Sequence, residues 1–314
     1  MELTQPIVFE PLFMERLWGG RRLESLFGKR LPPTARIGES WEIVDRDEAQ
    51  SVVHEGPLRG LTLNELWTQH REEIFGAGLP DTPRFPLLFK ILDAQERLSV
   101  QVHPRPQTAA QLGGEPKTEM WFILDALLDS DLYAGLRRGV TRADFELALR
   151  EGRVAEMIHH LPIKAGDAFF IPSGRIHAIG TGNVIFEVQQ NSDTTYRVFD
   201  WNRLGLDGKP RTLHVEESLQ SIDFEDFEPA VVPPGSELLA LCEFFRVEKW
   251  QLAGPRACDG GGRFAVFCVT DGAVECNGRQ FQRGDFFLIP ATLARAEIKP
   301  LGEGASVLRT TIPA

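Results

Sequence analysis

A repeat constrains this chain more than any other feature of its sequence. Residues 165–172 read Ala-Gly-Asp-Ala-Phe-Phe-Ile-Pro, and residues 283–290 read Arg-Gly-Asp-Phe-Phe-Leu-Ile-Pro. Gly166, Asp167, Phe170 and Pro172 fall on Gly284, Asp285, Leu288 and Pro290 at one constant offset. Each copy reads as a Gly-Asp turn feeding a short buried strand, which a proline without an N–H then ends. Two copies imply two related β-domains. They part at one position: His177, just beyond the first copy, falls on Arg295 beyond the second.

The rest of the chain has the same texture. Its 29 glycines and 21 prolines punctuate short runs rich in Val, Ile and Phe. Strands are expected over Phe85 to Leu92, Leu98 to His103, Met120 to Leu124, Ala168 to Pro172, Val184 to Gln189 and Phe264 to Thr270. Helical spacing occurs in Thr62 to Phe75, where Thr62 and Glu65 suit a capping box, and in Thr141 to His159, which Gly152 splits. The adjacent pair His159-His160 is expected at a helix end on the surface, because neighbours on a helix do not face one another. The segment Asp223 to Pro234 reads as the connection between domains. The expected fold is mainly β, with a first domain over 1–228 that includes a helical insertion near 141–160, and a second over 229–314.

With 34 basic and 45 acidic residues the net charge is −11, which disfavours nucleic-acid binding. No apolar run is long enough to span a bilayer, and the N-terminus lacks the pattern of a secretory signal. Cys242, Cys258, Cys268 and Cys276 form no CxxC pair and read as reduced core thiols. A cytoplasmic enzyme or ligand binder is the expectation, either monomeric or weakly homo-oligomeric.

Three places offer metal-ligand chemistry. In Ser99-Val100-Gln101-Val102-His103-Pro104, Gln101 and His103 share one face of a strand. Glu119 enters an apolar strand from Lys117-Thr118-Glu119-Met120-Trp121, and His177 ends the turn Pro172-Ser173-Gly174-Arg175-Ile176-His177. Singly, each residue reads better as an ordinary hydrogen-bonding or ion-pairing group. Together they form a mixed N/O set that suits Zn²⁺, with Fe²⁺, Mn²⁺ or Co²⁺ as alternatives. The second domain, with Arg295 in place of the histidine, is expected to be structural and metal-free.

The spacing Gly-x5-Pro-x-Gly-x2-His from Gly166 to His177 resembles the second motif of the cupin superfamily, whose barrels are of the jelly-roll kind. The resemblance narrows further to type I mannose-6-phosphate isomerases, and among them to the short bacterial form. It rests on Trp18-Gly19-Gly20, Gly38-Glu39-Ser40-Trp41-Glu42, Phe89-Lys90-Ile91-Leu92, the segments around Gln101 and Glu119, and the run Asn191 to Asp200. It implies two cupin barrels and one zinc per chain held by Gln101, His103, Glu119 and His177. It also implies a catalytic Arg197, and a sugar-phosphate site lined by Lys90, Ser99 and Lys117. The activity implied is interconversion of mannose 6-phosphate and fructose 6-phosphate. Longer family members carry a histidine before the Lys-x-Glu, and Pro116 stands there in this chain.

Aldose–ketose isomerisation through a cis-enediolate needs stabilisation of oxyanion charge and a base for the C2 proton. Arg197 stays protonated and fits the first task. Lys117 fits the second if its pKa is depressed, and Glu187 is a weaker candidate whose simpler role is an ion pair. Lys90 and Ser99 are candidate phosphate donors, whereas Arg137 and Arg138 read as solvated surface charge. His54, His70 and His214 have no supporting spacing. The alternatives are a non-catalytic sugar-binding or regulatory homologue of the same fold, and a metal-dependent cupin acting on another molecule, such as an oxygenase.

Overall fold

A computed structural model describes residues 3–205, 208–258, 261–293 and 295–313. Four antiparallel sheets of four to six strands make up the frame. The largest runs Leu12–Gly20, Ile37–Ile43, Leu87–Ala94, Asn183–Gln190, Glu119–Ala126, Ala168–Ile171 in spatial order. It faces a five-stranded sheet ordered Tyr196–Phe199, Val100–Val102, His177–Ile179, Asp131–Leu136, Ile158–Pro162. The C-terminal part repeats the plan with five strands from Leu238–Leu241 to Phe286–Ile289, and four that include Arg256–Cys258 and Ala296–Pro300.

Period-two alternation explains how these sheets stack. Along Glu119–Ala126, Trp121 and Ile123 turn inward to meet Leu132, Ala134 and Ile179 of the facing sheet. Met120, Phe122 and Leu124 turn outward into a second core, shared with Phe245, Val266, Phe286 and Leu308 of the C-terminal sheet. Both faces of this strand are therefore buried, which accounts for its nearly continuous apolar sequence. The N-terminal segment also crosses over: Ile7 pairs with Leu288 through backbone bonds of 2.8 Å in each direction.

The repeat copies occupy matching places. Ala168–Ile171 and Phe286–Ile289 are each the last strand of their sheet. Thr62 caps the helix Leu63–Gln69 in a capping box with Glu65, and Thr141 does the same for Arg142–Arg150 with Asp144. The insertion is less helical than its sequence implies. After Gly152 at φ +72° there is only a 3₁₀ turn, Val154–Met157. His159 and His160 then lie on the strand Ile158–Pro162, not at a helix end. His160 Nε2 sits 2.7 Å from Asp131 Oδ2, and its ring packs on Tyr133. Pairing with Asp131–Leu136 overrides the local helical spacing there. The connecting segment from Asp223 to Pro234 is tied down, with Asp226 taking two bonds from Arg175 and the Val232 N–H reaching the Ala168 carbonyl. Among the described residues no helix is long and apolar enough to cross a membrane.

Candidate metal and substrate site

His103, Glu119 and His177 come from both sheets of the first barrel and converge, with their ligand atoms within 4.8 Å of one another. All three are buried. The strands bring them together by register. Glu119 begins its strand opposite Ile171, and His177 pairs with Gln101 across the facing sheet.

The hydrogen-bonding pattern orients the rings. His103 Nδ1 lies 2.8 Å from the Thr194 carbonyl, and His177 Nδ1 lies 2.9 Å from that of Arg175. A carbonyl only accepts, so both Nδ1 atoms carry the proton and both Nε2 atoms turn a lone pair inward. Burial, reinforced by Lys117, lowers the pKa of His103. Burial, reinforced by His103, lowers that of His177 to about 3. Burial opposes the charge of Glu119, but Lys117 and His103 outweigh it and hold the carboxyl well below the usual range. The trio is thus two neutral imidazoles and one carboxylate, the protonation state that a metal requires.

His103 Nε2 and both Glu119 oxygens are buried without a well-formed hydrogen bond. Lys117 Nζ, 2.7 Å from Glu119 Oε1, provides charge balance. Orphaned buried acceptors cost free energy unless something coordinates them, so these donors fit a divalent cation. The Gln101 amide lies 3.3 Å from His177 Nε2, close enough to join the set through its oxygen.

A cavity of about 420 Å³ adjoins the trio through Gln101 and Lys117. Lys90, Ser99 and Arg197 also line it, so the structure gathers the sequence-predicted substrate residues around one space. Their surroundings change some expectations. Lys117 does not have a depressed pKa: burial pushes it down, but Glu119 and Glu187 raise it further, so the ammonium stays charged. Lys90 Nζ sits between two carboxylates, 3.6 Å from Glu39 and 3.3 Å from Glu187. Burial and the charge of Glu119 raise the pKa of Glu187, whose Oε1 accepts from Trp121 Nε1 at 2.8 Å. Burial penalises the charge of Glu39, yet Lys90 and Arg16 bring its pKa down to about 2.

The cavity also exposes residues that sequence reasoning left without a role: Arg16, Glu39, Asp193, Arg211 and His214. Glu39 and Asp193 lie in recognisable motifs, but Arg211 and His214 follow an irregular loop where no periodicity marks them. His214 Nδ1 lies 3.3 Å from the Arg197 N–H. Arg197, Arg203 and Arg211 cluster around the single carboxylate of Asp200, which makes this wall the positive one. Arg138 is exposed and paired with Glu228, as expected of surface charge.

Comparison with known proteins agrees with this geometry. A family model for the phosphomannose isomerase type I catalytic domain matches residues 8–120. A probable mannose-6-phosphate isomerase of Bacillus subtilis, GmuF, is 37% identical over 302 residues, covering 92% of this chain and 94% of the relative. The mannose-6-phosphate isomerase ManA of the same species is 36% identical over 313 residues, covering 96% and 98%. A crystal structure of the Bacillus subtilis mannose 6-phosphate isomerase superposes with a TM-score of 0.88 at 31% identity, covering 98% of this chain and 100% of that one. With these relatives matched almost end to end, this chain belongs to the type I phosphomannose isomerase family.

Proposed function

We propose that this chain interconverts mannose 6-phosphate and fructose 6-phosphate, with zinc as its resident ion. The observation that carries this reading is the trio His103, Glu119 and His177, two neutral imidazoles and a carboxylate with His103 Nε2 left without a hydrogen-bond partner, beside a cavity with one cationic wall. Gln101 would complete the zinc ligands. Two imidazole nitrogens and a carboxylate oxygen suit zinc, and the bound ion would supply Lewis-acid polarisation of the oxygens at C1 and C2. Catalysis falls to residues 1–228, and residues 229–314 serve as a packing partner.

The chain's own groups divide the remaining work. Arg197, in register with Gln101, holds the oxygens at C1 and C2 as negative charge develops. Its guanidinium stays protonated throughout. Lys117, charged and 2.7 Å from Glu119, donates to the same oxygens and does not accept a proton. Glu187 takes the C2 proton and returns it to C1, while the hydroxyl proton on O2 passes to O1 across the cis-enediolate, so that O1 ends as the alcohol and O2 as the carbonyl. A buried carboxylate with a raised pKa, facing the cavity, suits that transfer. Lys90 already serves two carboxylates, so it and Ser99 meet sugar hydroxyls, while the phosphate lies against the arginine wall.

Incubation of the zinc-loaded chain with mannose 6-phosphate in D₂O tests this by NMR. Fructose 6-phosphate is the expected product, with deuterium at C1 in those turnovers in which the proton held by Glu187 exchanges with solvent before its return. Absence of conversion, with conversion of a different sugar phosphate in its place, would overturn it.

A further inference from the structure

We infer that Asp200 is a positioning residue, which sets Arg211 at the cavity rim as a preformed receptor for the substrate's phosphate. This rests on the sugar-phosphate reading above and adds a residue that does not itself touch the cavity.

Asp200 directly follows the strand Tyr196–Phe199 that carries Arg197. Trp201 and Asn202 then take positive φ values of 55° each, reversing the chain at once. A bulky residue rarely adopts that conformation, and here Trp201 is held in it. Its Nε1 donates to the Leu98 carbonyl at 2.6 Å, and the Arg97 guanidinium stacks 4.4 Å from its ring. Beyond the reversal Leu204 pairs with Pro210, and the Gly205 N–H reaches the Lys209 carbonyl at 2.7 Å. Arg203 and Arg211 therefore lie next to the paired residues Leu204 and Pro210, and both reach Asp200.

The two arginines are held differently. Arg203 donates Nη2 to Asp200 Oδ1 at 2.7 Å and Nη1 to the Arg97 carbonyl, away from the cavity. Arg211 forms a two-pronged pair, Nε to Oδ2 at 2.7 Å and Nη2 to Oδ1 at 2.5 Å. That geometry fixes the guanidinium plane and keeps Nη1 out of the pair. Arg211 lines the cavity beside Arg197 and His214, whereas Asp200 is buried behind it. Three guanidiniums against one carboxylate leave an excess of positive charge. A phosphate dianion is the part of the substrate that would neutralise it, and a pre-ordered arginine binds it with less loss of side-chain freedom.

The test is steady-state kinetics of Asp200→Asn, which keeps the shape and removes the charge. KM for mannose 6-phosphate should rise about tenfold, with kcat within about threefold of wild type. The inhibition constant of inorganic phosphate should rise by a similar factor, and that of uncharged mannose should not change. Asp200→Glu should restore part of the loss. If the Asn variant does not fold, Arg211→Gln must reproduce the phosphate effect, and Asp200→Glu must add nothing in that background. Unchanged phosphate inhibition, or a fall in kcat at constant KM, would overturn the inference. Calorimetry of inorganic phosphate binding separates the two readings. Binding that depends on Asp200 in a chain with no isomerase activity would sink the function and keep the inference. Turnover with Asp200-independent phosphate binding would do the reverse.

Discussion

The two barrels share a frame and differ in what fills it. In the first, Ile171 of the repeat lies opposite Glu119, and in the second its counterpart Ile289 lies opposite Ala265. Two pairs along, on the same face, Phe169 lies opposite Trp121 and Phe287 opposite Phe267. The first interior holds a ladder of alternating charge through Arg16, Glu39, Lys90 and Glu187, and ends at the trio. The second is filled by rings, with Phe287 stacked on Phe281 at 4.0 Å and on Phe267 at 5.3 Å. A jelly-roll interior can thus hold chemistry or packing. Buried charges contribute little net stability and can cost it, whereas buried rings contribute a good deal. The two barrels pack on each other through one core that includes Phe122, Phe186, Val266 and Phe286.

The largest effect should come from giving the first barrel the residue of the second. Glu119→Ala should lower kcat/KM by about a thousandfold or more and remove most of the bound metal, read by coupled assay and elemental analysis. Retention of both metal and activity would erase the distinction between the barrels. Next comes the reverse attack on packing. Phe287→Ala should cost about 3–5 kcal/mol in urea unfolding. The folded, metal-loaded fraction should keep its kcat. A loss of kcat with unchanged stability would show that the second barrel takes part in the chemistry.

The charge ladder should leave an acid signature. Glu39 falls from the ordinary value of 4.5 to about 2 in the fold. A lowered carboxyl pKa adds stability that is complete above the unfolded value and disappears as pH falls towards the folded one. The preference of the fold for ionised over protonated Glu39, about 3 kcal/mol, should therefore be complete at pH 6 and fade between about pH 4.5 and 2. Urea midpoints of wild type and Glu39→Gln should differ at neutral pH and converge in acid. A gap that holds constant through acid would contradict the pairing with Lys90 and Arg16.

The smallest effect belongs to the other repeat position. Arg295 is exposed at φ 61°, a conformation that histidine tolerates comparatively well. Arg295→His should change stability by no more than about 0.5 kcal/mol and create no second metal site, because Ala265 brings no carboxylate. Metal uptake at a second position would show that one histidine is enough to convert the frame.

How much of this is legible in the sequence follows from what each signal measures. The Gly-Asp turn and terminal proline mark strand ends by local chemistry, so the repeat and the β architecture can be read directly. Gln101, His103, Glu119 and His177 sit on or beside strands with short fixed spacings, and their motifs survive in the linear order. Arg211 and His214 do not, because the reversal at Trp201 and Asn202 returns them to the cavity. The charge state of Lys117 is equally hidden: Glu187 is far away in sequence yet raises its pKa from a neighbouring strand. His159 and His160 look helical because local spacing cannot register the ladder to Asp131–Leu136.

The most direct measurement is a zinc titration of the chelator-stripped chain, read as conversion of mannose 6-phosphate to fructose 6-phosphate. Activity should be near zero at the start, rise linearly, and break sharply at one zinc per chain. Full activity without metal, or a break at two, would contradict a single metal centre confined to the first barrel.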